Sequence, residues 1–121
     1  MLGADVAVYI PEREKEGYGV NREAIKNILE QGAKLIITID CGITSKKELE
    51  LVKLTKADCV VVDHHEPQAD KMPEAIIINP KQFGDQYPQK DLCAAALAWK
   101  LAAALYRNGT SILVSKSRFD Q

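Results

Sequence analysis

The chain has 121 residues, of which 46% are hydrophobic and 27% are charged. This length and composition are ordinary for one globular domain with a two-layer or three-layer core. The net charge of −1 excludes an overall electrostatic attraction to nucleic acid, so any such contact must come from a local patch. No apolar run approaches the roughly 20 residues of a membrane span, and the start lacks a signal-peptide pattern, so we expect no membrane association.

The first part of the chain predicts a strand followed by a helix. The apolar run 4–10 indicates a strand that ends at Pro11. Asn21 is a favourable N-cap for a helix that runs to about Gln31. Gly32 then occupies the position of a C-cap glycine.

Two short β-branched runs, at 34–40 and 58–62, predict the next strands. The second run, bounded by polar residues, is typical of a strand buried on both faces. Between them, Ser45 and Glu48 form a capping-box pattern that opens a helix to about Lys56. A strand–helix–strand unit of this length places the two strands parallel to each other.

The second half of the chain predicts one more strand and a long helix. The run 75–78 indicates a buried strand that ends at Asn79 and Pro80. Alanine and leucine dominate the stretch from Leu92 to about Arg107, which strongly favours helix. The order β, α, β, α, β, β, α predicts an α/β fold with a parallel sheet in three layers.

Three cysteines complete the composition, at Cys41, Cys59 and Cys93. Their odd number and wide spacing, inside predicted elements, favour buried free thiols in a reducing cytoplasm over a disulfide framework. No CxxC pair is present from which a cysteine zinc site could be built.

Chemistry-bearing residues follow two of the predicted strands. Asp40 ends one strand, and Asp63, His64 and His65 end the next. In open α/β sheets ligands bind beyond the carboxyl ends of the strands, where these residues would meet. Carboxylates and imidazoles suit a divalent ion such as Mn²⁺ or Mg²⁺. The alternative is a turn in which the aspartate caps backbone amides and the histidines are solvated.

Five motifs in a fixed order resemble one known family. They are IPER at 10–13 with EGYG at 16–19, TIDCG at 38–42, DHH at 63–65, AIIINP at 75–80 and YPQKDLCAAA at 87–96. This series is similar to that of the RecJ-type single-strand-specific exonucleases in the DHH phosphoesterase superfamily. The resemblance runs from about Gly3 to Arg107.

The resemblance implies roles for five residues. Asp40 would bridge two metal ions, usually Mn²⁺, and His64 would be a ligand of the second ion. His65 would face the scissile phosphate, while Asp63 would orient a histidine or join the metal site. Two such ions clamp the attacking and leaving oxygens of an in-line displacement. Arg13 is a candidate phosphate contact, with a surface salt bridge to a neighbouring glutamate as the alternative.

Two motifs of the family have no counterpart in the sequence. These are an earlier DxD at a strand end and a later aspartate after the long helix, since Asp120 lies in a different context. We therefore expect residues 1–109 to be a partial DHH domain and 110–121 a divergent tail. A missing inner strand would leave apolar edges exposed near Val6, Val8 and Ile37, and hence a marginal monomer or an oligomer.

The resemblance implies a metal-dependent exonuclease that hydrolyses single-stranded DNA from the 5′ end, in DNA repair and recombination in the cytoplasm. Two other functions stay open. The absent DxD favours a non-catalytic remnant or binding module of the same fold. A DHH phosphoesterase acting on short oligonucleotides or nucleotides is the third, although the IPER and EGYG segments favour the exonuclease.

Overall fold

A parallel three-stranded sheet forms the centre of the molecule. The computed structural model describes residues 3–11 and 17–108. In sequence order the strands are β1 (Leu35–Ile39), β2 (Asp58–Val62) and β3 (Ile76–Ile78), with β2 in the middle. Both pairs are parallel, and Val62 lies opposite Ile39 on one side and Ile78 on the other. The carboxyl ends of all three strands therefore meet at one edge, as the α/β prediction requires.

Three helices cover the sheet in the described part of the chain: α1 (Arg22–Glu30), α2 (Lys46–Lys53) and α3 (Ala94–Asn108). Helix α1 begins as predicted, since the Asn21 side chain accepts a hydrogen bond of 3.0 Å from the Ala24 N–H. It ends at Glu30 with Gln31 as the C-cap, and Gly32 follows with a φ of +90°, the left-handed conformation that closes a helix.

The helices lie on both faces of the sheet. Helices α1 and α2 pack together against one face and enclose the buried cluster Ile25, Ile36, Leu49, Val52, Cys59 and Val61. Helix α3 contacts β1 and β2 and buries Ala94 and Leu97, which lie outside that cluster. This three-layer arrangement confirms the predicted fold class.

The predicted strand at 4–10 is wrong. Residues 3–10 have no regular secondary structure, and Val6, Val8 and Ile10 are at least 74% exposed. An extended apolar segment becomes a strand only when another strand supplies its hydrogen bonds. None of the strands in the described ranges pairs with this segment.

Helix α2 also differs from its prediction. It ends at Lys53 rather than near Lys56, because a tighter turn follows in which Thr55 bonds to the Val52 carbonyl. Ser45 is the N-cap but its side chain makes no capping hydrogen bond, so the expected capping box does not form. Its backbone ψ of 42° departs from the extended conformation that N-cap residues usually adopt.

One face of the edge strand β1 is uncovered. Leu35, Ile37 and Ile39 are each between 44% and 52% exposed. Ile76 at the start of β3 is also exposed, although the run 75–78 predicted a buried strand. Both are outer strands of the sheet formed by the described residues. Val6, Val8 and Ile37 are exposed as expected, but only Ile37 lies in a strand, so the expected sheet edge near Val6 and Val8 is not present.

The cysteines are only partly as predicted. All three are free thiols, but only Cys59 is buried, while Cys41 is half-buried and Cys93 is exposed. Cys93 precedes the first residue of α3 and lies on the solvent side. Burial raises the pKa of Cys59 to about 11, so this thiol is inert near neutral pH.

The predicted phosphate contact and the predicted divergent tail concern residues that the structure does not describe. Arg13 and the tail 110–121 lie outside the described ranges. Within those ranges, none of the helices is long and apolar enough to cross a lipid bilayer.

Candidate metal centre

Asp40 stands immediately beyond the end of β1. Its N–H donates to the Val62 carbonyl of β2 at 3.0 Å, so its backbone continues the ladder by one bond. Its φ is +65°, a left-handed conformation that non-glycine residues adopt rarely and that aspartate tolerates better than most. Strained backbone of this kind is concentrated at functional sites. The chain turns at Asp40 and leaves its carboxylate at the open edge.

The turn after Asp40 requires glycine at position 42. Gly42 has a φ of +109° and is buried, and a Cβ atom there would lie 2.6 Å from Thr38 Oγ1 and 3.3 Å from Val61 Cγ1. The same Thr38 hydroxyl donates to the Cys41 carbonyl at 2.9 Å. Thr38 thus holds the turn from inside the sheet and fixes the direction in which Asp40 leaves it.

Asp63 is the buried centre of the site, with its side chain 1% exposed. Its Oδ2 accepts from the Ile43 N–H at 3.1 Å, which ties the end of β2 to the turn after β1. Its Oδ1 accepts from the His64 N–H at 2.8 Å, the His65 N–H at 3.3 Å and the His65 Nδ1 at 2.6 Å. Both carboxylate oxygens are therefore used inside the protein.

These hydrogen bonds keep Asp63 ionised. Burial by itself raises the pKa of Asp63, but the bonds from Ile43, His65 and His64 together outweigh it and hold the pKa below its usual value. An ionised carboxylate can only accept, so Nδ1 of His65 carries the proton of this pair. Nε2 of His65 is then the nitrogen left for contacts outside the pair.

The structure brings Asp40, His64 and His65 together. His64 Nε2 lies 3.2 Å from Asp40 Oδ1, and the two imidazole centroids are 4.7 Å apart with a tilt of 48°. One ligand atom from each of the three residues falls within 4.8 Å of the others. The Asp40 carboxylate is 59% exposed and the His65 ring 58%, so the group is open to solvent and to a substrate.

The donor set fits a divalent ion. One carboxylate oxygen and two imidazole nitrogens are ligands that Mn²⁺ accepts, and a set containing imidazole suits Mn²⁺ better than Mg²⁺. Asp63 was expected either to orient a histidine or to join the metal site. Its burial and its hydrogen bonds to Ile43 and to the histidine turn favour the orienting role.

The Cys41 thiol lies beside the site and is not part of the group of close ligand atoms. Burial, and after it the nearby carboxylates of Asp63 and Asp40, raise the pKa of Cys41. A thiol must be deprotonated to bind a metal ion strongly. Because its pKa is raised, the Cys41 thiol is protonated near neutral pH in the metal-free chain.

Three residues that support this site, Thr38, Gly42 and Asn79, are assigned no role in it from the sequence, although they lie in the TIDCG and AIIINP motifs. Asn79 ends the third strand in the sequence analysis and belongs to the AIIINP motif; in the structure it is 2% exposed and donates to the His65 carbonyl. The available signal was a polar residue at the end of a third parallel strand, the same signal that identified Asp40 and Asp63.

A cavity of about 370 Å³ lies at the opposite end of the sheet. Asp58, Cys59, Ala75 and Ile76, at the beginnings of β2 and β3, form part of its wall. It is remote from the carboxyl edge and takes no part in the metal centre.

Comparison with known protein families gives one match over nearly the whole chain. The model of the N-terminal domain of the DHH family matches residues 1–118.

Curated relatives carry the same segment within longer proteins. The single-stranded-DNA-specific exonuclease RecJ of Bacillus subtilis (strain 168) is 45% identical over 104 residues, which are 86% of this chain and 13% of the relative. The RecJ exonuclease of Salmonella typhimurium is 34% identical over 122 residues, 99% of this chain and 20% of the relative. The chain thus spans at most 20% of the length of these two relatives.

Two solved structures are similar to this one. The crystal structure of exonuclease RecJ bound to manganese superposes with a TM-score of 0.66 at 36% identity, over 85% of this chain and 27% of that chain. The crystal structure of RecJ in complex with Mn²⁺ from Thermus thermophilus superposes with a TM-score of 0.57 at 30% identity, over 73% of this chain and 13% of that chain. Both of these similar proteins contain manganese.

Proposed function

This chain belongs to the DHH family, and we propose that it forms part of a metal-dependent phosphodiesterase that degrades single-stranded DNA. The observation that carries the proposal is the convergence of Asp40, His64 and His65 at the carboxyl edge of the sheet. The similar RecJ proteins are exonucleases specific for single-stranded DNA. Attack from the 5′ end, a role in DNA repair and recombination, and a cytoplasmic location belong to the same proposal and rest on the resemblance.

Asp40 and His64 are the residues that would hold Mn²⁺, with Mg²⁺ as the alternative and a second ion in the complete domain. His65 belongs to the same group of ligand atoms and would be a third ligand only with a neutral ring. A bound ion supplies positive charge that stabilises phosphoryl oxygens and positions the water that attacks them. Asp40 and His64 are already adjacent, so little rearrangement is needed for both to face one ion.

Asp63 and His65 act as a pair in this proposal. Asp63 holds Nδ1 of His65 at 2.6 Å and thereby directs the other ring nitrogen outward. With a neutral ring Nε2 is a metal ligand, and with a protonated ring it donates to a substrate phosphate. The family resemblance favours the phosphate contact.

A second candidate applies to the isolated 121 residues. Within the described ranges, three residues make up the ligand group at this edge, which is few for two ions. Misplacement of a reacting group by about 1 Å can cost on the order of 100-fold in rate. We therefore expect the chain alone to bind Mn²⁺ weakly and to degrade DNA slowly or not at all, as a binding remnant would.

A chimera separates the two candidates. Residues 1–109 replace the corresponding segment of the Bacillus subtilis RecJ relative, and digestion of 5′-labelled single-stranded DNA is measured with and without Mn²⁺. The chimera should be a Mn²⁺-dependent exonuclease that releases label first from the 5′ end. Asp40→Ala and His64→Ala should each lower its rate at least about 100-fold, because each removes a group that positions the reacting atoms.

Asp58→Ala is the matched control, since Asp58 is an exposed aspartate at the opposite end of β2. It should leave the rate unchanged. Full activity of Asp40→Ala in the chimera would refute the site assignment. Mn²⁺-dependent digestion by the 121 residues alone, at the rate of the chimera, would refute the argument from the small ligand group.

A further inference from the structure

Asn79 is a buried amide beside the histidine turn. It is 2% exposed, and it follows directly after the last residue of β3. A primary amide buried without partners costs a few kcal/mol, so both ends of this side chain must be satisfied by the protein. Its two hydrogen bonds show which parts of the chain it connects.

The oxygen atoms of Asn79 accept hydrogen bonds from its own loop. Its Oδ1 accepts from the Lys81 N–H at 2.8 Å, and its backbone carbonyl accepts from the Gln82 N–H at 3.1 Å. Side chains of asparagine commonly close turns in this way. These two hydrogen bonds are local and involve only the loop after β3.

The donor end of Asn79 reaches across the sheet edge to the site. Its Nδ2 donates to the His65 carbonyl at 2.9 Å, a contact between residues 14 positions apart. The strand register makes this reach possible, because Ile78 lies opposite Val62 and the Asp63 N–H bonds to the Ile78 carbonyl. Asn79 is therefore placed next to the turn that carries His64 and His65.

His65 is held from two sides as a result. Asp63 accepts from its backbone N–H and from its ring, and Asn79 donates to its carbonyl. With both ends of the residue bonded, the backbone of the turn has little freedom to rotate, and the two rings keep their mutual placement. Groups that orient metal ligands are worth about 10-fold to 100-fold in metal affinity.

From these contacts we infer that Asn79 is a positioning residue for the metal centre, acting through the His65 carbonyl. The inference rests on the proposed metal site, and it extends that site from β1 and β2 to β3. All three strand ends then contribute a polar side chain: Asp40 and the histidines as ligands, Asp63 and Asn79 as the groups that orient them.

Asn79→Ser tests the inference in the 121-residue chain. A serine hydroxyl can still accept from the Lys81 N–H but is too short to reach His65. The measurement is paramagnetic broadening of the His64 and His65 imidazole signals by Mn²⁺ in NMR spectra. The Mn²⁺ concentration that gives half-maximal broadening should rise about 10-fold or more.

Gln82→Ser is the matched control. Gln82 also donates its side-chain amide to a backbone carbonyl of β3, that of Ile77 at 3.1 Å, but has no bond to the histidine turn. Its half-maximal concentration should stay within about twofold of the unchanged chain, well below the effect expected for a group that orients ligands. Equal behaviour of Asn79→Ser and Gln82→Ser would overturn the inference.

Two further measurements cover the other outcomes. Asn79→Leu fills the same volume without a donor, and it should show the same rise in the half-maximal Mn²⁺ concentration if the serine variant does not fold.

The Glu66 amide nitrogen shares a peptide bond with the His65 carbonyl, so its metal-free chemical shift reports the Asn79 bond directly. If Mn²⁺ broadens neither histidine in the unchanged chain, the metal site fails. An Asn79-dependent Glu66 shift would then still support the hydrogen bond, and an unmoved shift would refute it.

Discussion

At the scale of single residues, Asp63 links the stability of the site to pH. Its pKa in the folded chain lies below the usual value, because four N–H groups stabilise the charged form more than burial disfavours it. A group whose folded pKa is depressed contributes stability above its ordinary pKa of about 3.9 and loses it as the pH falls through the folded pKa. Asp63 therefore stabilises the fold at neutral pH and ceases to do so in acid.

Asp63→Asn should lower the free energy of unfolding by about 2 kcal/mol at pH 7, the usual worth of a buried hydrogen bond to a charged group. The gap to the unchanged chain should narrow as the pH falls below about 3.9 and through the lowered pKa of Asp63, because the wild-type carboxylate then becomes protonated. Urea unfolding followed by circular dichroism at several pH values measures both. Asp70→Asn, at an exposed aspartate, should change neither. A gap at pH 7 that is no larger than the one caused by Asp70→Asn would show that the charge of Asp63 does not stabilise the fold.

At the scale of elements, the turn between β1 and α2 depends on Gly42. An added methyl group faces Thr38 Oγ1 at 2.6 Å, in addition to the strain of its left-handed backbone. The strain alone costs about 1–2 kcal/mol, and overpacking adds about 1–3 kcal/mol. Gly42→Ala should therefore destabilise the chain by roughly 3 kcal/mol and weaken Mn²⁺ binding, because the turn places Asp40.

Gly32→Ala separates strain from the contact. Gly32 has a similar φ of +90°, but a Cβ atom there meets nothing within 4 Å. It should cost only the strain of about 1–2 kcal/mol and leave Mn²⁺ binding unchanged. Thermal unfolding and the NMR titration with Mn²⁺ measure the two effects. Equal losses of stability in the two variants would mean that Thr38 yields without cost.

At the scale of the whole molecule, the uncovered face of β1 should make the 121-residue chain self-associate. Ile37 is 44% exposed in the middle of an edge strand whose neighbours Leu35 and Ile39 are also exposed. Exposed apolar edges of this kind pair readily with a second chain. Ile37→Lys should weaken association about 10-fold, since burial of one isoleucine is worth about 1.5–3 kcal/mol and 1.4 kcal/mol is tenfold.

Sedimentation equilibrium over a range of protein concentrations measures this association. Leu54→Lys is the control, because Leu54 is 79% exposed but is the C-cap of α2 and does not belong to a strand. It should leave association unchanged. A monomer at all concentrations, with the stability ordinary for its size, would contradict the prediction.

The sequence by itself determined the features that depend on neighbouring residues. The Asn21 cap, the Gly32 stop and the long α3 helix follow from local hydrogen bonds and helix propensity, and the structure has all three. The sequence also placed Asp40 and the residues 63–65 at the same edge. Strand–helix–strand units make parallel neighbours, and parallel neighbours align their carboxyl ends.

Tertiary structure decided the features that depend on residues far apart in the chain. The segment 4–10 has the pattern of a strand but no partner strand among the described residues, so the pattern alone did not make it one. The role of Asp63 depended on the Ile43 N–H, 20 positions away, and that of Asn79 on the His65 carbonyl, 14 positions away. A local pattern carries no information about such partners, because folding alone brings their polar groups within hydrogen-bonding distance.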